Sequence, residues 1–130
     1  MEKESLNTLA ILEIQGHHLQ WNESLNEMIH NLKLFEKQLS DISRKNNSLV
    51  TKKLIGHFQN RFFIQKTEIN QLKNAIKKHE LSIKRKKEIS NDKVTIEDER
   101  YHNRMALQFK AQEIIFYKLK FDYADFVKEN

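Results

Sequence analysis

Apolar residues recur along three stretches of this chain at alternating steps of three and four. The first reads Ile11, Ile14, His18, Trp21, Leu25, Met28, Leu32, Phe35, Leu39, Ile42; the second Ile55, Phe58, Phe62, Gln65, Ile69, Leu72, Ile76, His79, Ile83; the third His102, Met105, Phe109, Gln112, Phe116, Leu119, Tyr123, Phe126. Steps averaging half a heptad keep every member of a stretch on one seam of a helix. Each stretch therefore predicts a long helix that buries its seam against the others. The expected fold class is all-α: an antiparallel up-down-up bundle of three long helices with coiled-coil-like packing, forming a single domain over residues 1–130.

Polar segments mark where the rhythm restarts. Asn46-Asn47-Ser48 separates a helix from about Glu4 to Lys45 from one from about Ser48 to Glu88, with Asn47 or Ser48 able to cap the second. Arg44 and Lys45 suit the negative end of the first. Ser90-Asn91-Asp92 is the second break. Proline is absent and there are two glycines. Gly16 leaves one alternative open: a glycine inside a helix costs about 1 kcal/mol relative to alanine, and a break there would give four helices.

Composition narrows the setting. A chain of 130 residues can bury about two thirds of its unfolded surface and needs no staples. Cysteine is absent, which excludes disulfides, thiolate nucleophiles and Cys-based zinc or iron–sulfur sites and fits the cytoplasm. The acidic start Met1-Glu2-Lys3-Glu4-Ser5 and the short apolar run Leu9 to Leu12 do not read as a signal or a membrane span. The net charge of +5 is unevenly spread: residues 1–43 hold three Lys/Arg against seven Asp/Glu, residues 44–93 fourteen against four, residues 94–130 six against seven. A cationic middle helix between acidic neighbours is expected to pair with them across the seam flanks.

The stretch His57-Phe58-Gln59-Asn60-Arg61-Phe62-Phe63-Ile64-Gln65-Lys66-Thr67-Glu68-Ile69-Asn70-Gln71-Leu72-Lys73 resembles a segment of a group of small, uncharacterised, all-helical bacterial proteins. The resemblance implies a bacterial, intracellular helical protein and brings no activity and no site residues. The overall pattern is also similar in shape to spectrin-like three-helix repeats.

Candidate chemistry lies in the polar members of the seams. Turning the chain at about residues 46 and 91 sets His79 opposite His102, with His18 about one turn away. Glu80, Glu99 and Asp98 fall nearby. Three inward imidazoles form a ligand set that helical bundles use for zinc, copper or iron. The same residues could equally form a polar layer that fixes register, or a pH switch as neighbouring imidazoles charge below about pH 6.5. Two Glu-x-x-His pairs, Glu27 to His30 and Glu99 to His102, have di-iron spacing, but the fold separates them by about 25 Å and a single chain cannot join them. Gln65 and Gln112 are expected to bond backbone or flanking groups rather than each other.

Two surface features complete the reading. Lys84, Arg85, Lys86 and Lys87 form a basic patch that could contact phosphates, although cations also suit a helix C-terminus. Phe63, Ile64, Ile114, Ile115, Tyr117 and Phe121 lie beside the seams and either broaden the core or form an interface, with Phe63 and Ile64 expected near Tyr117 and Phe121. The leading expectation is a non-enzymatic interaction or scaffold module that self-associates, as a homodimer, or grips a partner helix through this aromatic face. A metal-binding or pH-sensing bundle using His18, His79 and His102 comes second, and nonspecific nucleic-acid or acidic-partner binding third. No membrane partner is expected, and no cofactor beyond a transition metal in the second reading.

Overall fold

The computed structural model describes residues 2–89 and 92–130, with side chains described from residue 7 onward. Three helices form: α1 over Glu2–Lys45, α2 over Leu49–Glu88 and α3 over Ile96–Glu129. Strands are absent among the described residues. No helix among them is long and apolar enough to cross a membrane.

The four-helix alternative is overturned, because α1 passes through Gly16 unbroken. Ile14 and His18 are both buried, so packing on either side of the glycine holds it in the helix. Its φ is not positive, so nothing in the backbone calls for glycine there. Ser48 caps α2, accepting from the Thr51 amide at 3.4 Å. Of the expected second break, Ser90 and Asn91 lie outside the described residues. The cap of α3 is Thr95: its hydroxyl accepts from the Asp98 amide at 3.1 Å while Asp98 Oδ2 accepts from the Thr95 amide at 2.8 Å. This reciprocal box satisfies two amides that the first turn would leave open.

The three seams fill the interior. Leu25, Leu32, Leu39, Phe62, Ile69 and Ile76 are wholly buried, and Phe35, Phe58, Phe62, Tyr123 and Phe126 nest together with ring centroids 5.1–6.2 Å apart. Burial pushes the Tyr123 phenol pKa up to about 12, and its one O–H proton is shared between two acceptors, the Phe35 carbonyl at 3.1 Å and Gln38 Oε1 at 2.9 Å. Ile11, Ile14 and Ile83 form a separate small cluster with Val94 against it. Between the two clusters lies a layer of histidines.

Partners on successive helices run in opposing numerical order. Gln15 bonds Glu80, His18 bonds His79 and Glu36 pairs with Lys66 between α1 and α2. Lys86 pairs with Asp98, Gln65 bonds Gln112 and Arg61 pairs with Asp122 between α2 and α3. The cations of α2 thus meet acids on both neighbours, as the charge distribution requires. Near the α2–α3 connection, Asn7 Oδ1 accepts from the Val94 amide at 2.9 Å and ties that connection to α1.

Candidate metal centre

Heptad phase puts His18, His79 and His102 on the inward stripe of their helices, and packing buries them to 2%, 5% and 6% exposure. Their rings converge, with centroids 5.1 Å apart for His18 and His79, 5.2 Å for His18 and His102, and 5.8 Å for His79 and His102. One ring nitrogen from each can be chosen so that all three lie within 4.8 Å of one another. A tetrahedral ion with bonds of about 2.0–2.1 Å holds its nitrogens about 3.4 Å apart, so closure onto an ion asks for movements of about 1.5 Å or less.

A carboxylate orients the first ring. Glu80 Oε2 accepts from His18 Nδ1, and Gln15 Nε2 donates to Glu80 Oε1 at 3.0 Å, fixing the carboxylate in turn. With the His18 proton on Nδ1, Nε2 is the acceptor, 3.1 Å from His79 Nδ1. In neutral rings His79 then donates from Nδ1 and its Nε2 carries a bare lone pair. That atom is buried and has no hydrogen-bond partner. His102 Nδ1 is likewise buried without a partner, while its Nε2 lies 2.9 Å from His17 Nδ1. Two orphaned imidazole nitrogens on neighbouring rings are costly in a finished core, whereas a cation could use them.

The electrostatics favour neutral rings at His79 and His102. Burial lowers the His79 pKa, and the neighbouring His18 lowers it further, against the opposing pull of Asp98 and Glu80. For His102, burial and then His18, His17 and His79 bring the value down to about 4. Neutral imidazole is the form that binds a metal. Trp21 stacks on His102 at 4.8 Å and on His17 at 5.7 Å, and the edge of Tyr101 meets His79 at 5.1 Å. A cleft of about 190 Å³ bordered by Glu13, His17, Glu99 and His102 leads to the site from the α1–α3 side.

Of the residues singled out from the sequence, the three histidines come together with Glu80. Asp98 instead pairs with Lys86 and caps α3; although burial works against it, bonds from Lys86 and Thr95 hold its carboxyl below the ordinary value. Glu27 and His30 are exposed. His17, Gln15 and Trp21's stacking were not legible as site features. His17 stands one position off the seam, and only the His-His doublet beside Trp21 hinted at it.

The other predicted sites are rearranged. Lys86 is half-buried against Asp98 and also donates to the Lys93 carbonyl at 3.0 Å, leaving Lys84, Arg85 and Lys87 exposed. Gln65 and Gln112 bond a backbone carbonyl and a flanking charge as expected, Gln65 Nε2 donating to the Gln112 carbonyl at 3.0 Å and Gln112 Nε2 to Glu68 Oε2 at 2.8 Å, but they also meet, with Gln65 Nε2 3.4 Å from Gln112 Oε1. Phe63, Ile64, Ile114, Ile115, Tyr117 and Phe121 are all exposed, so they do not broaden the core. Nor do Phe63 and Tyr117 share a face. Phe63 lines a groove between α1 and α2 beside Ile29 and Lys33, while Tyr117 lines one between α1 and α3 beside Ser24 and Asn31. Each follows a seam residue on the flank turned toward α1, which stands between the two.

Comparison with protein families, curated proteins and solved structures finds no match.

Proposed function

We propose that this bundle binds one divalent transition-metal ion through His18, His79 and His102, in an antiparallel, coiled-coil-like arrangement of its helices. The observation that carries the reading is the pair of unpartnered, buried ring nitrogens on His79 and His102 beside a His18 already oriented by Glu80. Imidazole donors suit zinc, copper or nickel rather than calcium or magnesium, which prefer oxygen. Glu80 and Gln15 act as the outer shell that fixes ring orientation and raises ligand basicity. Three protein ligands leave a coordination position for water or a small ligand, or for His17 on the cleft side.

The test uses protein without an affinity tag, stripped with chelator and examined by native mass spectrometry and thermal melting. One zinc or copper ion per chain is expected, with the midpoint rising by about 10 °C at a hundredfold excess over the dissociation constant. His79→Gln should abolish the shift while circular dichroism shows the helices intact. Absence of bound ion, or an equal shift in His79→Gln, contradicts the proposal.

A further inference from the structure

α3 carries a second, exposed stripe outside its seam, with Tyr117 at the edge of the groove toward α1. Leu107, Lys110, Ile114, Tyr117, Phe121 and Ala124 follow the same three-and-four rhythm. The four large apolar members are exposed to 72%, 61%, 62% and 69% for Leu107, Ile114, Tyr117 and Phe121. Scattered exposed hydrophobics are ordinary, but a heptad-spaced row about 26 Å long on one helix has the form of a helix-pairing surface.

The charges beside the row fit one occupant, a second copy of this chain. Arg104, Ala111, Lys118 and Asp125 border one edge; the other is bordered by Glu113 and Lys120, which also line the groove toward α1, and by Ala106 and Val127, which pack against the core. We propose that two chains associate by laying α3 against α3 in opposite directions, with the two-fold axis passing between Ile114 and Tyr117. In an antiparallel pair each edge meets the same edge of its partner. Arg104 then faces the partner's Asp125, and Glu113 faces the partner's Lys120, each contact occurring twice by symmetry. Along the centre Ile114 meets the partner's Tyr117 and Leu107 meets the partner's Ala124. Lys110 lays its stem on the partner's Phe121 with its ammonium beside Glu113 of its own helix, 3.6 Å from Oε1.

Alternative alignments are less favourable. Sliding one copy by a heptad sets Lys118 against itself in one direction and Glu113 against itself in the other. A parallel pair also matches charges along its edges, but it stacks Lys110 on Lys110 within the apolar row. Two helices meeting over this length bury less than the about 800 Å² per partner of a tight complex, so association is weak and concentration-dependent. It involves neither the histidines nor a metal.

Sedimentation equilibrium of the full, metal-free chain from micromolar to millimolar concentration tests the proposal. A monomer–dimer equilibrium is expected, and Ile114→Glu or Phe121→Glu should abolish it with helicity unchanged, since neither side chain is buried. Arg104→Asp should weaken the dimer about tenfold, and adding Asp125→Arg should restore it. A chain monomeric throughout, or a dimer indifferent to Ile114→Glu, overturns the proposal. Failure of Asp125→Arg to rescue Arg104→Asp overturns the antiparallel register.

Discussion

The behaviour of single residues turns on how burial treats imidazole. His102 has a folded value of about 4 against 6.5 unfolded, so between those limits the unfolded chain binds more protons. Linkage makes the stability contribution complete above about pH 6.5 and progressively lost as pH falls toward 4, on the order of 3 kcal/mol from this one group. His79 acts in the same direction. Around them stand His17 and His18 on α1, Glu80 and Lys86 on α2, and Asp98 and Tyr101 on α3, and the carboxylates oppose the trend without reversing it. Denaturant titrations of metal-free protein should therefore show lower stability at pH 5 than at pH 7.5, and His102→Gln should flatten the difference. A second polar seam position carries its own cost: Gln65 Oε1 is buried without a partner. Gln65→Leu should raise stability by about 1 kcal/mol, since the Gln112 carbonyl it releases already belongs to a helical ladder.

Helices carry the part of this structure most legible in sequence. Seam rhythm located all three, because each buries a single stripe and no proline disturbs it. Gly16 was ambiguous for a physical reason: propensity allows a break, and only packing of Ile14 and His18 on either side decides against one. With open space around its Cβ position, Gly16→Ala should stabilise the protein by about 1 kcal/mol in chemical denaturation. Thr95→Ala should cost about the same by removing the α3 cap. The T-x-x-D signal for that cap was present in the chain. Flank positions were harder to read, because a residue one step off a seam can face either neighbouring helix. Phe63 and Tyr117 thus went to different grooves, and His17 entered the site unannounced.

Across the whole molecule, the histidine layer divides a large aromatic core from the small cluster of Ile11, Ile14 and Ile83. The end with fewer apolar contacts and two orphaned nitrogens should open at lower free energy. Amide exchange of metal-free protein should accordingly be faster over residues 76–86 than over 55–69, and zinc should slow the former selectively. The arrangement of side chains within that layer could be sketched from seam phase alone, since helices of similar length joined by short connections fix which levels face one another. What seam phase could not supply was Gln15, or which of the nearby carboxylates Glu80, Asp98 and Glu99 orients a ring, since both depend on rotamers.

Trp21 offers the most direct measurement of the central claim. It is the chain's single tryptophan and it stacks on His102 at 4.8 Å, so a copper ion held by the three histidines would quench its fluorescence. Titration of tag-free protein with Cu²⁺ should give saturable quenching that ends at one equivalent, vanishes in His79→Gln and persists when the exposed His30 and His57 are replaced by Gln. Quenching that fails to saturate, or that is the same in His79→Gln, would contradict a metal centre at this layer.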